Sequence, residues 1–368
     1  RLRVVTVLLG LVCVALTLPV QDTSSSCTPT GLWWRFTPET MVFSQFKPNL
    51  LGHFMPSASS ETKYDHQEFD TNLGLSKESC YDGEFYYGNL DYHPTSGHWG
   101  SGIVKFDIKN GRVADFLNSS DVFGSDKGMA QFMIACSASK PGVVYVPVYE
   151  SKSNVSLYAV NVNTKSATPV AENILPSLYD ALYTSGSAFD TENNRITLAY
   201  IMRATDSVTP VARKAERELM MHNKLGFYAT DNMLATVDIA TGKTTHAVAE
   251  VGKFIDAEMY SITYDAKTKG VYVAVANGTQ EQRYDMSLNR VDTDTGAVSA
   301  HYPIHAASDG IGFTDHAGVW YTTYNIGGVT GQMRQMLSYD LSTGQKVADV
   351  AIGDGQLSDW TVVDVLCT

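Results

Sequence analysis

One short motif returns along this chain at a nearly constant interval, and a repeat of that length leaves few folds open. Apolar alternation runs into Asp-x-x-Thr-Gly, or a close variant, and resumes after it. The copies begin at Asp107, Asn161, Asp238, Asp292 and Asp340, at spacings of 54, 77, 54 and 48 residues. The chemistry is that of a hairpin. An Asp or Asn side chain caps the turn, and Gly takes the positive φ that a tight connection demands. Lys165 stands where the other copies have Gly, so that turn is expected to be differently built.

A second pattern interleaves with the first. Asp82-Gly83-Glu84-Phe85-Tyr86, Asp256-Ala257-Glu258-Met259-Tyr260 and Asp309-Gly310-Ile311-Gly312-Phe313 are near copies, and Asp180 and Asp359 begin looser ones. Gly128-Met129 fills the remaining slot. Each copy is read as opening an inner strand a, followed by b, c and d. In the best copy these are Met259–Tyr264, Val271–Ala276, Met286–Val291 and Ala297–Tyr302.

Four-stranded units at this period predict an all-β fold, a single β-propeller. The Asp-x-x-Thr-Gly turn followed by Val251-Gly252 and a strand resembles the YVTN-type and quinoprotein-like propeller repeats. The resemblance runs over residues 80–368 and implies the fold alone, since such blades host many activities.

Counting predicts six blades, with five or seven as alternatives. The last unit has room for one strand before Thr368. Leu32–Phe36, Met41–Phe46 and Lys63–Phe69 are expected to complete it as b, c and d, so that N-terminal strands pair with the C-terminal one. Such closure removes exposed sheet edges.

The chain begins with Arg1 and Arg3, an apolar run from Val4 to Leu18 and a polar exit, which read as a signal peptide over 1–20. A short polar linker, 21–26, and the propeller, 27–368, follow. The run is short for a membrane span, no later segment reaches spanning length, and the expected location is secreted or extracellular. Asn118-Ser119-Ser120, Asn154-Val155-Ser156 and Asn277-Gly278-Thr279 are N-glycosylation acceptor triplets. Leaving out Cys13, four cysteines remain: Cys27, Cys80, Cys136 and Cys367. In an oxidising compartment they suggest two disulfides, with three connectivities. The expected closure brings Cys27 near Cys367, and Cys80–Cys136 follows by elimination.

In a propeller the d–a and b–c loops share one edge, and the a–b and c–d loops share the other. The three acceptor triplets fall on the d–a/b–c edge. The 77-residue spacing reflects a b–c insertion at about 204–232, in which Val211–Lys224 reads as a helix capped at Thr209-Pro210.

The net charge of −12 argues against a nucleic-acid partner. Asp82, Asp180, Asp256, Asp309 and Asp359, read as ringing the axis, are candidate ligands for calcium, a cation that takes several oxygens. The bland alternative is that each caps its own turn. His93/His98 and His301/His305 lack the further ligands of a zinc spacing. No nucleophile elbow or phosphate-binding loop occurs. The expected function is therefore a secreted, N-glycosylated, non-catalytic binding or scaffold propeller, partnered by an extracellular protein or glycan. The alternatives are a calcium-dependent hydrolase resembling propeller lactonases and a structural component of the extracellular matrix or a surface coat.

Overall fold

The computed structural model describes residues 29–36, 40–48, 54–56, 62–65, 71–94, 100–107, 112–124, 127–129, 134–137, 139–151, 154–175, 181–203, 230–253, 257–277, 285–304, 312–314, 317–325, 334–352 and 361–367. Its elements are almost all strands. The first four are β1 (Pro29–Phe36), β2 (Thr40–Pro48), β3 (Phe54–Pro56) and β4 (Thr62–Asp65). A four-stranded meander follows: β5 (Thr71–Tyr81), β6 (Tyr86–Pro94), β7 (Gly100–Asp107) and β8 (Arg112–Asn118). The short helix α1 (Ser119–Phe123) leads to the second meander. That one comprises β9 (Gly128–Met129), β10 (Ala135–Cys136), β11 (Val143–Ser151), β12 (Asn154–Asn161) and β13 (Ser166–Leu175).

The third is β14 (Ala181–Asp190), β15 (Arg195–Arg203), β16 (Thr230–Asp238) and β17 (Thr244–Lys253). The fourth is β18 (Ala257–Asp265), β19 (Gly270–Asn277), β20 (Asp285–Val291) and β21 (Val298–Ile304). The fifth is β22 (Gly312–Thr314), β23 (Val319–Asn325), β24 (Arg334–Asp340) and β25 (Lys346–Ile352), and β26 (Thr361–Cys367) follows.

These meanders are the five blades of one β-propeller, not the six expected. The terminal strands do not form a sheet of their own. A parallel pair between Ile352 and Phe54 carries the fifth blade from β25 into β3, and the sheet continues through β2 and β1 to β26. Within it β1 pairs antiparallel with β26, Pro29 opposite Cys367.

The inner strand of the first blade also departs from expectation. It is β5, which ends at Tyr81, and Asp82 lies in the a–b turn after it. The strand expected over Lys63–Phe69 is β4, Thr62–Asp65. The reason is visible in the residues of β5: Ser76-Lys77-Glu78-Ser79 interrupts any apolar alternation, and the pairing with β6 shifts register between Leu75 and Ser79. A polar, bulged strand has no period-two signal to read.

Between blades the chain buries both faces of its strands. On β11, Val144, Val146 and Val148 pack with Tyr87, Ile103 and Leu117 of the first blade. Tyr145, between them, packs with Ile196, Leu198 and Tyr200 of the third. The same arrangement joins the third blade to the fourth through Leu234, Val273 and Val275, and the fourth to the fifth through Leu288, Trp320 and Leu337. Alternate side chains of one strand thus serve two different cores. Each fully buried Val or Leu contributes about 1.5–3 kcal/mol of apolar transfer.

The recurrent motif forms the c–d turns. Asp238 Oδ1 accepts from Thr241 N at 2.8 Å and Thr241 Oγ1 at 2.9 Å. Asp292 accepts from the backbone of Asp294 and Thr295, and Asp340 from that of Ser342 and Thr343, at 2.8–2.9 Å. Gly242, Gly296 and Gly344 hold φ of 70°, 79° and 70°. Lys165 meets the same requirement at φ 52°, the left-handed region that L residues rarely occupy. The glycines serve a second purpose. A Cβ on Gly242 would collide with the Val170 carbonyl, one on Gly296 with that of Val248, and one on Gly344 with the Tyr302 ring. Each turn therefore presses against the outer strand of the preceding blade. The turn after Asp107 lies outside the described residues.

Candidate functional site

Antiparallel meanders put the ends of b and d and the start of c on one edge. By that logic Asn118 at the end of β8, Asn154 at the start of β12 and Asn277 at the end of β19 share an edge, as the sequence predicts. Asn118 is partly exposed, and its Oδ1 accepts from Ser120 N at 3.1 Å, capping α1. Asn154 is also partly exposed and accepts from Ser156 Oγ at 3.4 Å. The b–c connection of the third blade leaves the same edge after Arg203 and returns at Thr230. Its predicted helix, Val211–Lys224, lies outside the described residues.

A charged and aromatic cluster stands on the second blade at this edge. Lys127 Nζ donates to Glu150 Oε1 at 3.2 Å and to the Tyr158 hydroxyl at 3.4 Å, and Tyr158 donates to the same Glu150 oxygen. Lys127 also lies 5.6 Å from the centre of the Tyr158 ring, and Phe123 of α1 meets that ring edge-on at 5.3 Å. The Tyr158 hydroxyl and then Lys127 hold the Glu150 carboxyl below its ordinary range. The hydrogen bond to Glu150 raises both Tyr158 and Lys127. At neutral pH the cluster is an ion pair with a neutral phenol, and it fastens α1 to the blade.

The opposite edge carries buried carboxylates in the a–b turns. Asp82, 1% exposed, accepts with Oδ1 from Glu84 N at 2.9 Å and Phe85 N at 2.7 Å. Its Oδ2 accepts from Tyr87 Oη and from Gly142 N in the next blade, both at 2.8 Å. Burial first, and then Asp82, push the Tyr87 phenol well above its ordinary value. Asp82 therefore does not sit where the calcium reading needs it. It lies at the other end of the inner strand, with both oxygens taken by protein donors. Asp180, Asp256, Asp309 and Asp359 lie outside the described residues. Among the described residues no three His, Cys, Asp or Glu side chains converge to hold an ion.

Two further turn carboxylates escaped the sequence reading. Asp265, fully buried, accepts from Thr268 N and Oγ1 at 2.7 Å, from Gly318 N at 2.9 Å and from Thr314 Oγ1 at 3.3 Å. Asp190 accepts from Glu192 N, Asn193 N and Asn193 Nδ2 at 2.7–3.1 Å. Burial, helped by the charges of Asp190 and Glu192, pushes Tyr264 up to about 12. The missed signal was an Asp four residues before a positive-φ position: Asn194 and Lys269, both at φ 53°.

Cys80, at the end of β5, and Cys136, at the end of β10, form a disulfide with Cα atoms 5.7 Å apart. It joins the inner strands of the first two blades beside the Asp82 turn. Cys27 lies outside the described residues. Among the described residues no helix is long and apolar enough to cross a membrane.

No family model and no curated protein sequence matches this chain. Solved structures do resemble it. A putative 6-phosphogluconolactonase from Bacteroides fragilis is 9% identical with a TM-score of 0.45, covering 93% of this chain and 98% of that one. The hydrazine synthase of Kuenenia stuttgartiensis is 13% identical with a TM-score of 0.44, covering 78% of this chain and 68% of that one. The Dos1 propeller is 11% identical with a TM-score of 0.39, covering 91% and 75%.

Proposed function

We propose that this protein is a binding scaffold of the secretory pathway or extracellular space, N-glycosylated and partnered by an extracellular protein or glycan. The observation that carries the reading is the Cys80–Cys136 disulfide between neighbouring blades. Such a bond persists where the surroundings are oxidising. The signal-peptide pattern over 1–20, with its apolar run from Val4 to Leu18, supplies the address for that route, and the three acceptor triplets suit it.

The division of labour between the edges supports a binding role. The described a–b and c–d turns are short and tied down by carboxylates and the disulfide, and the exposed pair Lys269–Glu192 links two of them across blades at 2.6 Å. The connection from Arg203 to Thr230 emerges at the other edge. Binding surfaces are commonly loops carried on a rigid scaffold. In this reading β1 and β26 complete the ring.

The test is expression in cells with a secretory pathway. Non-reducing peptide mapping should find Cys80 linked to Cys136, and at least one of Asn118, Asn154 and Asn277 should carry a glycan. A product retained in the cytosol with free thiols overturns the reading. Binding is tested on arrays of extracellular glycans and ectodomains. Replacing residues 204–229 with a short Gly-Ser turn should weaken the captured interaction at least tenfold while leaving the melting temperature in place. Binding unchanged in that variant removes this loop from the interface.

A further inference from the structure

Phe116 and Asn118 lie two residues apart on β8, so their side chains share a face of that outer strand. Leu117, between them, turns the other way into the core shared with the second blade. The register sets Asn118 opposite Gly102 and Phe116 opposite Val104 on β7. Gly102 has no side chain, and the Phe116 ring lies across the place that one would occupy. A Cβ there would run into Cζ and Cε2 of the ring. A glycine inside a strand often marks such a close approach. The ring is partly exposed and lies beside an asparagine that is also partly exposed. Asn118 spends Oδ1 on Ser120 N, and no described residue engages its Nδ2. The other two acceptor triplets have Lys152 and Val275 at the equivalent position, two residues before the asparagine.

We propose that Asn118 is an N-glycan acceptor whose first N-acetylglucosamine packs on the partly exposed Phe116 ring, which itself fills the place over Gly102. The proposal rests on the secretory reading above. The donor is a polyprenyl-diphosphate-linked oligosaccharide. A bond forms between Asn118 Nδ2 and the anomeric carbon, and the bond from that carbon to the diphosphate oxygen breaks. The polyprenyl diphosphate leaves, and the amide gives up one proton. The C–H bonds on one face of the sugar then meet a flat apolar ring, which aromatic side chains offer at low entropic cost. The cap on α1 survives, because it uses the amide oxygen.

Glycopeptide mapping of the secreted protein reads the first half. Asn118 occupied supports the proposal. Asn118 bare while Asn154 or Asn277 is occupied overturns it and leaves the secretory reading standing. All three bare, with free thiols, overturns both. The second half is read by enzymatic trimming. An endoglycosidase leaves one N-acetylglucosamine, whereas an amidase removes it and leaves Asp, which caps a helix as well as Asn. Melting of the two forms is compared in the native protein and in Phe116→Leu. Any contribution from the other sites cancels in the difference of differences. The single sugar should raise the melting temperature by about 1–2 °C with Phe116 in place, the size of shift a modest contact gives in a chain this long, and by less than half of that in Phe116→Leu. An equal shift in both overturns the packing.

Discussion

The carboxylate of Asp265 receives the backbone N–H of Gly318, 2.9 Å away in the next blade, while its other oxygen closes its own turn. Asp82 does the same with Gly142. Gly142 and Gly318 sit at φ 81° and 94°, just before the second strand of their blades. One side chain thus satisfies a local turn and a neighbour's strand start.

Removing that carboxylate leaves several buried donors unanswered. Asp265→Ala is expected to cost about 2–4 kcal/mol, the range for stranded buried groups and charge-assisted hydrogen bonds. Asp265→Asn should cost less, because one acceptor remains. Denaturant midpoints at unchanged slope are the measurement, and an Asp265→Ala midpoint equal to the native one defeats the account.

Two glycines separate backbone strain from collision. Gly296 and Gly124 have φ of 79° and 81°. A Cβ on Gly296 strikes the Val248 carbonyl, whereas one on Gly124 meets nothing within 4 Å. Gly124, at ψ 170°, occupies a region that is essentially glycine's alone, so Gly124→Ala should cost about 1–3 kcal/mol for the backbone by itself. Gly296→Ala should cost about 2–5 kcal/mol, since about 1–3 kcal/mol of overpacking is added to its own positive-φ strain. A Gly296→Ala loss of about 1 kcal/mol or less would mean that the turn is free to move away from β17.

The c–d turns predict how the fold responds to acid. The Thr241 backbone N–H lowers the Asp238 carboxyl, and the Thr295 N–H lowers Asp292. At Asp340 partial burial pushes upward, but hydrogen bonds from Ser342 and Thr343 leave the net shift downward. A carboxyl depressed in the folded state adds stability above its unfolded value of about 3.9, and that stability drains away as pH falls through the lower folded value. The melting temperature should thus fall below about pH 4 on account of these turns. Replacing all three with Asn should flatten that fall, since Asn161 already caps a turn with hydrogen bonds of 3.0 Å. An identical acid profile in the triple variant would assign the effect elsewhere.

The disulfide closes a span of 56 residues. Restricting the unfolded chain over such a loop gives about 4 kcal/mol as an upper figure. Cys80→Ser with Cys136→Ser should lower stability by up to that amount without losing the sheet signal in circular dichroism, since Asp82 still ties the same two blades. A second crosslink is expected at the ends of the chain. Cys367 lies opposite Pro29, two residues from Cys27, and non-reducing mapping should recover a Cys27–Cys367 peptide.

Repeat length, strand count per blade and the chemistry of the turns at Asp238, Asp292 and Asp340 were all legible in the sequence. Their hydrogen bonds span two or three residues, so cause and consequence sit side by side in the chain. The four strands of the Met259 copy were legible for the same reason: alternation is a local property. Asp82 was not. Its neighbours Gly83-Glu84-Phe85-Tyr86 look like those of Asp256, yet it closes the inner strand instead of opening it. Its partner Gly142 is 60 residues away.

The merging of the fifth blade with the terminal strands was equally hidden, because it depends on one parallel pair between Ile352 and Phe54. A short-range hydrogen bond needs only the right residue a few positions on. A contact between blades exists only once the cores around Val144 and Leu234 have packed and fixed where each sheet stands. Burial on both faces of a strand therefore decides what the local pattern leaves open.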